Sequence, residues 1–133
     1  MITAHRAHGV PTSAVIVRLA ILGLTLATAV IHARLGGTLF LLNAAGYVAF
    51  VLAMVLPGPV RRIRWLVRYG LIGFTAMTIG GWVAFGARFE LAYIDKAIEV
   101  ALIGLLLVES YTVDGSPLAV LRRASREAVA ALR

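Results

Sequence analysis

The stretch "AYIDKAIEVALIGLLLVES", residues 92–110, is mostly apolar enough to sit in lipid, yet it carries Asp95, Lys96, Glu99 and Glu109. Its reading decides the fold. If it crosses a membrane, the chain crosses four times and both ends lie on one side. If it does not, the chain crosses three times and the ends are separated.

The rest of the sequence sets the solvent. Of 133 residues, 61% are hydrophobic and 14% charged, and the mean hydropathy is +0.93. Soluble domains average about 45–50% apolar and about 25% charged residues, and a body this small buries too little surface to hide such an excess. A bilayer is the medium that fits. The absence of cysteine excludes disulfides, thiolate metal sites, covalently attached haem and a cysteine nucleophile. The net charge of +7 would suggest nucleic acid in a soluble chain. Here the basic residues flank apolar runs, so anionic lipid is the expected counter-surface and nucleic acid is not.

Three runs reach the roughly 20 residues that a helix needs to cross a hydrocarbon core of about 30 Å. The expected spans are 14–34, 38–56 and 66–87, with 92–113 as the fourth and most polar. Charge asymmetry argues for all four. With four spans and residues 1–13 as a cytoplasmic tail, the cytoplasmic segments hold Arg6, Arg18, Arg61, Arg62, Arg64, Arg68, Arg122, Arg123, Arg126 and Arg133, and the outer ones hold only Arg34, Arg88 and Lys96. That bias follows the positive-inside rule. The expected fold is therefore an all-α, up-down-up-down bundle in the cell membrane with both termini cytoplasmic. The first run could instead be a cleaved signal peptide ending near "ATA" at 27–29, but it continues through "VIHA" and is long enough to anchor.

Small residues recur at one-turn spacing in every span: Gly23 and Ala27; Ala45, Ala49 and Ala53; Ala76, Gly80 and Ala84; Ala97, Ala101 and Gly104. Helices in lipid associate through close packing at such residues, so these stripes are expected to form the contacts within the bundle. The pairs Gly36–Gly37 and Gly80–Gly81 read as loop and packing glycines.

After Gly115, "SPLAVLRRASREAVAALR" opens with Ser116 and Pro117, a cap followed by a first-turn proline. On a helix, Leu118, Val120, Leu121, Ala124, Ala128, Val129 and Leu132 share one side, and Arg122, Arg123, Arg126, Glu127 and Arg133 the other. Residues 116–133 thus read as a basic amphipathic helix in the inner headgroup layer. Arg61, Arg62, Arg64, Arg122, Arg123 and Arg126 are the expected headgroup contacts.

In the fourth span, Asp95, Glu99 and Glu109 fall within an arc of about 80°. A charge at mid-membrane costs at least about 2.5–3.5 kcal/mol, so this arc should face protein or water. Asp95 is expected at the outer interface, Glu99 about 10 Å below it, and Glu109 near the inner interface. Only Glu99 then demands a partner. Lys96 can pair with it or reach outward, and His32, Arg34, Asn43, Tyr47, Arg88 and Glu90 lie at similar depth. One reading makes this cluster a structural network in which Arg34 or Arg88 neutralises Glu99. The other makes it an outward-facing polar site for a proton, a cation or a small polar ligand. His32 with nearby carboxylates is a loose ligand set, so no metal is expected, and bis-histidine haem would require a dimer. No catalytic triad, metalloprotease motif, nucleotide loop or thiol is present, so no enzymatic activity is expected.

"FLLNAAGYVAFVLAMVL", "RRIRWLVRYGLIGFTAMTI" and "YIDKAIEVALIGLLL" resemble, in that order, a family of small uncharacterised four-helix membrane proteins of haloarchaea and some bacteria. The resemblance covers roughly residues 15–110. It implies a four-span fold without an assigned activity, and it points to His32, Asp95 and Lys96. Glu99 stands where that family has an amide, and the tail from 116 lies outside. "GGTLFLLNAAGYV" is also similar to the small dimeric fluoride channels, but their phenylalanine-box motif is missing from the third span.

Function follows in order of expectation. The first reading is a non-catalytic membrane subunit or accessory protein that packs against itself or a membrane partner. The alternative is a proton- or ion-coupled carrier or channel built around Glu99 and His32. A remote third is a haem- or quinone-binding redox subunit.

Overall fold

The computed structural model describes residues 9–132. His5, His8, Arg6 and Arg133 lie outside the described residues. Five α-helices follow one another: α1 (Thr12–Leu35), α2 (Thr38–Val55), α3 (Arg64–Phe85), α4 (Glu90–Val113) and α5 (Pro117–Ala131). A 3-10 turn, Pro59–Ile63, leads into α3. No strand occurs among the described residues.

The helix boundaries follow from local chemistry. Between α1 and α2 the chain reverses at Gly36 (φ 68°) and Gly37 (φ 80°), in the left-handed region that favours glycine. Pro57, Gly58 and Pro59 end α2, because proline lacks the amide that would continue the ladder. Ser116 caps α5: its hydroxyl accepts from the Ala119 amide at 3.3 Å, as the sequence led us to expect.

Three segments, Thr12–Leu35, Thr38–Val55 and Pro59–Phe85, are long and apolar enough to cross a membrane. The 24-residue α4 is not among them, since it carries Glu90, Asp95, Lys96, Glu99 and Glu109. It packs along α1 and α3, while α2 packs along α1 and α3 from the other side. Contacts at both ends make α1 and α4 antiparallel: Arg18 meets Glu109 while His32 approaches Asp95. The four helices close around Ile21, Tyr47, Met54, Leu71, Leu102 and Leu106. Large apolar side chains cover the outside, with Met77 76% and Phe85 93% exposed. Water would penalise such a surface, and lipid would not.

The small-residue stripes do not make these contacts. Gly23, Ala45, Ala49, Ala76, Gly80, Ala84, Ala97, Ala101 and Gly104 are exposed, and only Ala27 and Ala53 are half-buried. A side chain added at Gly23, Gly80, Gly81 or Gly104 would meet nothing within 4 Å. The expected packing role is therefore corrected: apart from Ala53, which packs against the core, and half-buried Ala27, these stripes face away from it. Two other glycines work at the interface. The Phe74 ring lies over Gly46, and the Phe50 ring lies over Gly70. The reason is volume: α2 and α3 meet through two rings, and a ring needs a glycine opposite it at van der Waals distance.

Candidate functional site

α4 carries the most charged residues of the four packed helices and presents the most buried side chains. Ala92, Asp95, Lys96, Glu99, Leu102, Leu106, Glu109 and Ser110 recur at spacings of three and four, one face of a helix. The acidic arc read from the sequence does turn inward, and burial extends further than expected. Glu99 is 0% and Asp95 1% exposed, and Lys96, His32 and Glu109 are also buried. Asp95 therefore does not sit at an exposed interface: α1 covers it.

Glu99 gathers donors from several helices. Its Oε1 accepts from the Tyr47 hydroxyl of α2 at 2.8 Å and lies 2.8 Å from the Thr78 hydroxyl of α3. Thr78 has a single proton, for which the Thr75 carbonyl at 2.8 Å competes. The Lys96 ammonium lies 2.5 Å from Glu99 Oε2 and 3.0 Å from Asp95 Oδ2. Asp95 Oδ1 accepts from the Thr28 hydroxyl of α1 at 2.7 Å. Charge-assisted hydrogen bonds of this kind are shorter and stronger than neutral ones.

His32 completes the cluster. Its Nδ1 stands 2.9 Å from the Thr28 carbonyl. A carbonyl can only accept, so Nδ1 carries the hydrogen, and in the neutral ring Nε2 is left with the lone pair. That Nε2 points at Glu99 Oε1 from 3.9 Å without a hydrogen bond. Ligand atoms of His32, Asp95 and Glu99 all lie within 4.8 Å of one another, a tighter set than the sequence suggested. The Lys96 ammonium already bridges the two carboxylates, as a tethered cation.

The formal charges do not balance. Counted formally, with His taken as uncharged, Asp95 and Glu99 give two negative charges and Lys96 one positive. The expected neutralisers of Glu99 do not supply the missing charge. Arg34 is exposed. Arg88 is exposed, stacks 4.1 Å above the Trp82 ring and donates to the Val83 carbonyl at 2.8 Å. Glu90 is exposed as well, at the start of α4.

A cavity of about 440 Å³ opens beside the cluster, at the Gly36 and Gly86 end of the helices. His32, Asn43, Thr78, Asp95 and Lys96 supply its polar lining, and Phe40, Phe74, Trp82, Phe85 and Phe89 supply aromatic walls. Asn43 reaches the cavity but not Glu99, whereas Tyr47 reaches Glu99 directly.

Glu109 belongs to a separate network at the other end. It pairs with Arg18 at 3.0 Å, and the other nitrogen of that guanidinium donates to the Met54 carbonyl at 2.8 Å. Arg68 grips Asp114 through two nitrogens, Nε at 2.9 Å and Nη2, and its Nη1 lies 4.0 Å from Glu109 Oε2. Sequence reading missed Thr28, Thr78, Arg18, Arg68 and Asp114. The three-and-four spacing of Thr25, Thr28 and His32 was the available signal for the first of these. No protein family, curated protein or solved structure matches the chain.

Proposed function

We propose that the chain is a four-span membrane protein, with both termini cytoplasmic, that takes up a proton or a monovalent cation at the His32–Asp95–Lys96–Glu99 cluster. In this reading it is a proton- or ion-coupled carrier whose site opens on the outer face. The observation that carries it is geometric: ligand atoms of His32, Asp95 and Glu99 lie within 4.8 Å of one another, beside a single lysine, with almost no solvent exposure. Two carboxylates held this close in low dielectric favour a positive charge beside them.

The test uses vesicles holding the purified protein. Wild-type vesicles should dissipate an imposed proton, sodium or potassium gradient faster than empty ones, and Glu99→Gln should abolish the difference while remaining folded. Absence of flux for all three ions in wild-type vesicles would overturn the carrier reading.

A second reading is supported by the outward-facing Ala76, Gly80 and Ala84 of α3. Small residues on a lipid-facing surface let a further helix approach closely, which suits a subunit that packs against a second copy or a membrane partner. Under either reading, Arg61, Arg62, Arg64, Arg122, Arg123 and Arg126 would face anionic headgroups on the cytoplasmic side.

A further inference from the structure

At the end of the helices remote from Glu99, the sequence "RRIR" at 61–64 enters α3 through a 3-10 turn. Arg18 of α1, Arg68 one turn along α3 and Arg123 of α5 converge on the same place. Together with Trp65 and Asp114 these arginines line a polar basin of about 350 Å³. Six guanidinium groups meet only two carboxylates there. Asp114 is taken by Arg68, and Glu109, just behind the basin, is taken by Arg18. Arg61, Arg62, Arg64 and Arg123 have no carboxylate partner among the described residues, so the basin carries an excess of four positive charges. The Arg64 Nε is, in addition, buried without an acceptor. A buried N–H of a charged group left unpaired is expensive, and it calls for an oxygen.

We propose that this basin binds a phosphate group, held by Arg61, Arg64 and Arg123. Phosphate suits the residues. Its tetrahedral oxygens accept the paired N–H groups of guanidinium, and its charge answers the local excess. Arg123 makes the site depend on tertiary structure, because α5 must fold back beside the 3-10 turn to deliver it. The phosphate can come from a membrane phospholipid headgroup or from a soluble phosphoester. The half-buried Trp65 at the rim suits the membrane interface. The site is separate from the cation cluster, and neither proposal depends on the other.

The experiment uses the full chain, stripped of lipid in a neutral detergent. Thermal stability and binding are measured against phosphatidylglycerol, phosphatidylcholine and inorganic phosphate, with chloride at equal ionic strength as reference. Phosphatidylglycerol should bind and raise the unfolding temperature where phosphatidylcholine and chloride do not. Inorganic phosphate acting likewise would assign the site to the phosphate group from either source, and its failure beside a positive lipid result would assign it to headgroups alone. Phosphate binding without lipid binding would assign it to soluble phosphoesters. Arg64→Gln and Arg123→Gln should each weaken binding roughly tenfold or more. Arg34→Gln, exposed at the opposite end of α1 and outside the basin, should leave it unchanged. No binding by any phosphate source, or equal losses at Arg123 and Arg34, would overturn the proposal. The second outcome would mean that the arginines act as a diffuse charge.

Discussion

Lys96 shows how little separates two outcomes for one side chain. A lysine at the end of a membrane helix commonly reaches outward to water, and from α4 it had that option. Instead it lies between Asp95 and Glu99, because two buried carboxylates with no cation between them would repel each other at close range. Removing the ammonium should therefore be severe. Lys96→Met is expected to destabilise the protein by about 3–5 kcal/mol, the usual range for breaking a buried ion pair on one side. Adding Glu99→Gln to that variant should restore most of the loss. Unfolding in detergent checks both, and a Lys96→Met protein as stable as wild type would remove the lysine from the electrostatics of the site. His32, Tyr47, Asp95, Lys96 and Glu99 could be picked out of the sequence because such residues are costly in lipid. Thr28 and Thr78 could not, since a threonine in a helix ordinarily satisfies its hydroxyl on its own backbone. Thr25 does so, on the Ile21 carbonyl at 2.6 Å.

Among the helices, α4 presents the reverse of the usual amphipathic surface pattern. Asp95, Lys96, Glu99 and Glu109 face in, and apolar Val100, Leu107 and Val108 face out. The pairing of α2 with α3 rests on aromatic rings over glycines. A Cβ at Gly46 would lie 2.5 Å from the tip of the Phe74 ring. That ring packs edge-on against Tyr47, with centroids 4.9 Å apart, so it cannot swing away without disturbing the Glu99 donor. Gly46→Ala is expected to cost about 1–3 kcal/mol through overpacking, and Gly46→Ala with Phe74→Leu should recover much of it. Gly80→Ala, on an open surface, should cost nothing measurable in the isolated protein. Thermal unfolding of the three variants distinguishes these cases. Equal losses at Gly46 and Gly80 would restore the small-residue stripes to the interior.

For the whole molecule, the open quantity is the number of crossings. Three helices qualify by apolarity alone, and the fourth qualifies only if its charges are hidden by its neighbours. The burial of Asp95, Lys96, Glu99 and Glu109 removes the objection to α4 as a span, because a buried and paired charge is not presented to lipid. We expect reporters fused after Arg133 and before Met1 to lie on the same, cytoplasmic side. A periplasmic C-terminal reporter with a cytoplasmic N-terminus would mean three crossings. The C-terminal helix α5 follows the same logic at the surface. Val120 is buried, while Leu118, Leu121, Val129 and Leu132 remain exposed, an apolar face that the rest of the protein does not cover.

Composition and periodicity by themselves determined the solvent, the helical class, the breaks at Gly36–Gly37 and Pro57–Pro59, and the inward turn of the acidic arc. Each of these depends on a cost that a residue carries wherever it sits along the helix: charge in lipid, a missing amide, a missing Cβ. Partner choice was different. That Lys96 and not Arg34 or Arg88 answers Glu99, that Arg18 answers Glu109, and that the small-residue stripes look outward were decided only by tertiary structure. Those outcomes depend on how four helices are rotated about their axes. A rotation of one residue, about 100°, exchanges one face for another, and a chain apolar on nearly every face leaves that rotation to be settled by packing.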